Sequence, residues 1–230
     1  MPAQLLQLEA TPDLVDRVYR SLLDAISDGS LAPGERVTQE DIAQQLAVSR
    51  QPVLQALRLL KKDGFVQDAP GRGLQVAPLD TQAIVHIYQV RGALDALAAR
   101  LAAQRRFRMA PALLATGRAA ARGEDVSAMI EADLAFHRAL YDAAGNPLIG
   151  ESAQLHWRHL KRVMGAVLQE LGQREAVWDE HEAIADAIAA GDAERAARLI
   201  EEHSQHASRS LAERLDLVLQ SAAPDPRRQP

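Results

Sequence analysis

Apolar residues recur at helical spacing through most of this chain, with frequent breaks before residue 80 and few after it. Leu14, Val18, Leu22 and Ile26 repeat every four residues and mark one face of a first helix. Thr11 as N-cap and Pro12 at the first helical position open it, and Gly29 stops it. After a Pro33-Gly34 turn, Thr38-Gln-Glu-Asp41 reads as a capping box with the shorter acid, and Ile42, Ala43 and Leu46 give a short second helix its inner face. Ala47-Val48-Ser49 is a three-residue turn. Ser49 is placed to cap a third helix, whose inner stripe is Val53, Leu57 and Leu60 and whose end is Gly64. Phe65–Asp68 and Gly73–Val76 read as two strands around the loop Ala69-Pro70-Gly71-Arg72. Three helices followed by a small hairpin is the winged helix-turn-helix plan.

The pattern changes near Ala77-Pro78-Leu79-Asp80. From there the period is helical, with almost no strand signal, and it predicts six helices: about Thr81–Gln104, Pro111–Arg122, Val126–Ala144, Pro147–Leu171, Arg174–Ala190 and Ala193–Leu217. Met109-Ala110-Pro111, Gly123, Gly145-Asn146-Pro147, Gly172 and Gly191-Asp192 separate them. Short connections favour antiparallel neighbours in a bundle. The expected fold is therefore mainly α: a winged helix-turn-helix domain over residues 11–77, an antiparallel six-helix bundle over 80–217, and a loose tail over 221–230.

Composition narrows the function. Aromatic residues make up only 3% of the chain against 47% hydrophobic, so the cores are built from Leu, Ala, Val and Ile, which suits helices. The absence of cysteine excludes disulfides, thiolate metal sites and cysteine nucleophiles and fits a reducing cytoplasm, the expected location. Neither a signal-peptide pattern nor a membrane-spanning apolar run is present, so no membrane partner is expected. The net charge of −5 argues against a protein coated in positive charge. Residues 50–72, however, carry Arg50, Arg58, Lys61, Lys62 and Arg72 against Asp63 and Asp68. Most charge runs are merely solvated faces, but this one coincides with the third helix and the hairpin, where a nucleic-acid surface belongs.

The histidines raise a second kind of chemistry. Asp133 and His137 lie one turn apart on a helical face, and His137 continues the inward side of Ile130, Leu134 and Tyr141. His181 lies on the stripe of Trp178, Ile184 and Ile188, and His203 on that of Leu199, Ile200 and Ala207. Three imidazoles from three helices with one carboxylate suit a divalent metal ion: zinc or nickel first, with manganese and iron as alternatives. A lone inward histidine is usually a hydrogen-bonded core residue, and the residues alone leave that reading open beside the metal site. His206 is a rival ligand, His156 and His159 are outer candidates, and His86 is structural. Such a site also permits a metal-dependent hydrolase or lyase, because open coordination positions can activate water.

Gly29-Ser-Leu-Ala-Pro-Gly34, Leu46-Ala-Val-Ser-Arg-Gln-Pro-Val53 and Leu60-Lys-Lys-Asp-Gly-Phe65 resemble the DNA-binding domain of GntR-family bacterial regulators. The helical remainder resembles the FadR-type ligand-binding (FCD) domain in its six-helix form, and the two resemblances together cover about residues 11–217. They imply a homodimeric, non-enzymatic transcription regulator, expected as a repressor, that binds a double-stranded operator and responds to a small organic acid. The resemblance makes Ser49–Lys62 the recognition helix, with Arg50 as base-edge or phosphate contact and Ser49, Gln51 and Arg58 beside it. Gly71 and Arg72 fall at the tip of the wing. Leu54-Gln55 departs from the arginine-acid pair usual in the family, and Ala47 stands where glycine is preferred. The family's metal-binding pattern falls on Asp133, His137, His181 and His203. Arg91 resembles its effector-facing arginine, with a salt bridge to Asp95 as the alternative, while an N-cap followed by proline accounts for Asn146-Pro147.

Overall fold

The computed structural model describes residues 14–168 and 175–222. Contacts divide the chain into two compact units, Met1–Pro78 and Leu79–Pro230.

The first unit runs α1 (Leu14–Ser27), β1 (Arg36–Val37), α2 (Gln39–Gln45), α3 (Arg50–Lys62), β2 (Val66–Asp68) and β3 (Leu74–Val76). Val18, Leu22 and Ile26 of α1 are buried, as are Val53, Leu57 and Leu60 of α3, and α1 and α3 pack on each other. Each such side chain contributes roughly 1.5–3 kcal/mol when buried. Leu14, expected on that stripe, is exposed at the helix start, and the expected cap at Thr11-Pro12 lies outside the described residues. Thr38 caps α2 by accepting from the Asp41 N–H at 3.1 Å, while its hydroxyl donates to the Asp41 carboxylate at 2.6 Å. The short acid thus closes the box through the hydroxyl.

Ser49 occupies the N-cap position of α3 but makes no side-chain cap bond. The third helical residue is Pro52, which has no N–H to offer, so half of the usual capping geometry is missing. Ala47 sits at φ +51°, a left-handed conformation that costs an L-residue roughly 1–2 kcal/mol. The strands form an antiparallel sheet in the order β1-β3-β2, with Val66 opposite Val76 and Arg36 opposite Gln75. β1 is absent from the sequence expectation because two residues carry no period.

The second unit runs α4 (Thr81–Gln104), α5 (Pro111–Arg122), α6 (Val126–Ala144), α7 (Pro147–Val167), α8 (Glu175–Ala190) and α9 (Ala193–Ala222). Caps fix the starts: Asp80 accepts from Gln82 N–H, Asp125 from Ala128 N–H, and Asn146 from Leu148 N–H ahead of Pro147. α6 ends at Gly145 in the left-handed region (φ +63°). α4 packs most extensively on α9 and α6, and buried Ala96, Ala98, Ala99, Ala102 and Ala103 let the backbones approach closely. α7 ends at Val167, short of the expected Leu171; Leu171, Gly172 and Arg174 lie outside the described residues. α9 continues past Leu217 to Ala222, into the segment expected to be loose, because no breaker appears before Pro224. The rest of that segment, 223–230, is not described. No described helix is long and apolar enough to cross a membrane.

Candidate functional site

In the helical unit, α6 carries Asp133 and His137, α8 carries His181 and α9 carries His203. One potential ligand atom from each lies within 4.8 Å of all the others. The three imidazoles are buried, and Asp133 is largely so. His181 Nε2 lies 3.4 Å from His203 Nε2 and 3.5 Å from Asp133 Oδ1. The rings are held by packing: Phe136 stacks on His181 at 4.0 Å between centroids, Trp178 meets the same ring edge-on, and Trp157 lies 4.9 Å from His137. Glu180 accepts from His203 Nδ1 at 2.8 Å, which fixes the proton there and leaves the Nε2 lone pair facing the cluster.

This arrangement fits a divalent cation. Burial, then the neighbouring His203, His137 and Arg91, hold His181 well below the usual histidine range, and burial with Arg91 lowers His137. Neutral imidazoles are the form that binds metal. His137 Nδ1 and His181 Nδ1 are buried without a hydrogen-bond partner, so the cluster as protein alone leaves polar atoms unsatisfied. The outer candidates stay outside. His206 is exposed and bonds the other Glu180 oxygen at 3.0 Å, His86 pairs with Gln82 on an exposed turn, and His156 and His159 do not join the four.

A buried polar network abuts the cluster. Arg91 Nε donates to Asp95 Oδ2 at 2.9 Å, so the salt bridge named as the alternative is present. The same guanidinium also reaches His137 Nε2 at 3.4 Å and lies over the Trp157 and Tyr88 rings, so it borders the cluster as well. Tyr141 donates to Asp95 Oδ1, and Trp157 Nε1 donates to Tyr141. Burial alone would raise the Asp95 carboxyl, but Arg91 and His137 hold it well below the usual carboxylate range. Burial pushes the Tyr88 phenol up to about 12.

In the winged unit, Gln51 and Arg58 are exposed on α3, with Leu54 and Gln55 half-exposed between them. The apolar Leu54 thus stands on the outward stripe. Arg50 pairs with Glu40 of α2 at 2.6 Å and Lys61 with Asp68 of β2 at 2.6 Å. Arg58, Lys62 and Arg72 have no ion-pair partner among the described residues. At the wing, Gly71 (φ +90°) and Gly73 (φ +96°) flank exposed Arg72. Arg36 of β1 donates to the Pro70 and Arg72 carbonyls at 2.9 and 3.3 Å and braces the loop from beneath.

Two family profiles match this chain. The gntR family of bacterial regulatory proteins covers residues 14–76, and the FCD domain covers 86–206, more than half of the chain. The chain is a GntR-family regulator of the FCD type. The solved GntR protein of Rhodococcus sp. RHA1 shares 26% identity and a TM-score of 0.70 with it, over 86% of this chain and 97% of that one. YdhC of Bacillus subtilis, an HTH-type transcriptional regulator, is 28% identical over 64% of this GntR chain; that match spans 62% of YdhC, less than two thirds of its length. A protein of Paenarthrobacter nicotinovorans named "Probable D-xylose utilization operon transcriptional repressor" is 28% identical over 77% of this chain and 80% of its own. A GntR regulator binds DNA through its N-terminal domain and an effector through its FCD domain; it is not an enzyme, and the hydrolase or lyase alternative finds no support.

Several neighbours of the candidate sites in this regulator escape sequence reasoning. Glu180 has no apolar period to mark it, Trp157 sits on a helix whose inward face the pattern leaves unresolved, and Arg36 lies in a two-residue strand. Tyr141 carried a usable signal, four residues after His137 on the same face.

Proposed function

We propose that this GntR regulator is a homodimeric repressor whose release from DNA follows binding of a small carboxylate at a divalent ion held by Asp133, His137, His181 and His203. The observation that carries the reading is the cluster itself: four ligating groups within 4.8 Å, buried inside the effector domain. Zinc or nickel suits three imidazoles and a carboxylate best. The bound ion supplies a positive anchor for an organic acid in a bundle that is otherwise largely apolar. Arg91 borders the same centre, and its charge favours the anion there while Asp95 fixes its orientation.

On the DNA side, Ser49, Arg50, Gln51 and Arg58 form the groove-facing edge of α3, with Gly71 and Arg72 reaching the neighbouring groove from the wing. The uncapped Ser49 hydroxyl is free for a phosphate. Two recognition helices need two half-sites, hence the dimer and a roughly palindromic operator with half-sites about one helical turn, roughly 34 Å, apart or at a related spacing. The test is footprinting of the chain's own upstream DNA while organic acids are added to metal-loaded and metal-stripped protein. The expected result is a two-fold symmetric footprint that one acid abolishes only when metal is present.

A further inference from the structure

A cavity of about 200 Å³ opens beside the four ligands. Its inner end is polar, with Arg91, Asp133 and His203. Its wall is apolar, with Met129, Met164, Leu168, Val177 and Leu211. A ligand hydroxyl set against these five side chains would have no hydrogen-bond partner, at a cost of roughly 1–3 kcal/mol, although Tyr88, Glu180 and Ser210 also line the cavity. The wall therefore favours an occupant with an apolar body.

The outer end is polar again. On α9, His203, Ala207, Leu211 and Arg214 follow one another at spacings of four, four and three and all line the cavity. From His203 to Arg214 the helix axis advances about 16 Å at 1.5 Å per residue. Helical side chains lean towards the N-terminus, which on α9 is the direction of the ligand cluster. Arg214 is half-buried and has no hydrogen-bond or ion-pair partner among the described residues. Glu180, an acid of the same cavity, is held instead by His203 and His206. An unpartnered guanidinium on a ligand cavity is a planar, bidentate receptor for a carboxylate or phosphate.

We infer that the effector has two anionic ends joined by an apolar body, and that Arg214 receives the end farther from the metal. Arg214 is then the residue that separates long dianions from monocarboxylates of the same length. The inference rests on the carboxylate-at-the-metal reading, and the test keeps the two apart.

The full chain, loaded with Zn²⁺, is titrated calorimetrically with octanoate, octanedioate and citrate, alongside Arg214→Gln and Arg214→Lys. Octanedioate is expected to bind the unaltered chain at least about tenfold more tightly than octanoate or citrate, a gap near 1.4 kcal/mol. Arg214→Gln should erase that advantage while leaving octanoate affinity and zinc content unchanged, and Arg214→Lys should keep part of it. Equal binding of octanoate and octanedioate, or an equal loss of both in Arg214→Gln, overturns the second anionic site but leaves the carboxylate reading intact. Citrate binding most tightly overturns the apolar body. Zinc-loaded protein that binds none of the three overturns this inference together with the reading beneath it.

Discussion

Arg91 and Asp95 are costly residues to place in the helical unit, since both charges are removed from water almost completely. The pair persists because every strong group has a partner: Arg91 on Asp95 and two aromatic faces, and Asp95 on Tyr141 as well. Asp95→Asn leaves the guanidinium buried without its counter-charge and should destabilise the protein by about 3–5 kcal/mol, read from the urea unfolding midpoint. A loss below about 1 kcal/mol would show that the network is not holding a buried charge. The Asp95 carboxyl is held below its usual range, so its stabilising contribution is complete above about pH 4, the unfolded value. It is lost as pH falls through the lowered folded value. For single residues the sequence is informative where geometry is local. The i, i+4 spacing of Asp133 and His137, and of Arg91 and Asp95, is enough by itself to put each pair on one helical face. The partners added by tertiary packing, Glu180 on His203 and Trp157 on Arg91, have no such local rule.

Among the elements, α5 and α8 meet at a glycine. A Cβ on Gly117 would stand about 2 Å from the Trp178 ring, and that same ring packs edge-on against His181. Gly117→Ala should therefore destabilise the bundle by about 1–3 kcal/mol, the usual range for overpacking, and loosen the proposed metal centre with it. Thermal melting with and without added zinc measures both, and an unchanged melting curve would contradict the packing described. On α3, the Arg50–Glu40 pair is exposed and worth at most about 1 kcal/mol, so DNA can compete for the guanidinium. Arg50→Ala should weaken operator binding by about 1–3 kcal/mol while affecting random DNA less; equal loss on both would make it a phosphate contact. The boundaries of α4, α5 and α6 are legible in the sequence because Asp80, Pro111, Asp125 and Gly145 punctuate them with specific backbone chemistry. The far end of α9 is not, because its Ser-Ala-Ala stretch is neither a breaker nor part of an apolar stripe.

Taken whole, the chain joins a DNA-binding unit to an effector-binding unit, and each is recognisable from its own period. Short helices with a hairpin and long helices with small buried alanines are different patterns, and the change between them falls at Pro78. The identity of the effector is less legible, because it depends on walls drawn from six helices. In the proposed mechanism every effector response passes through the metal centre. Elemental analysis of unaltered protein and of His181→Ala, both purified without chelator or metal-affinity column and paired with organic-acid thermal shifts, puts that dependence to the test. One divalent ion per chain is expected in the unaltered protein, and the substitution should remove ion and acid response together while DNA binding persists. At 100 times the dissociation constant the lost response corresponds to about 2.7 kcal/mol of ligand stabilisation. A full acid response from metal-free protein would refute the metal's role.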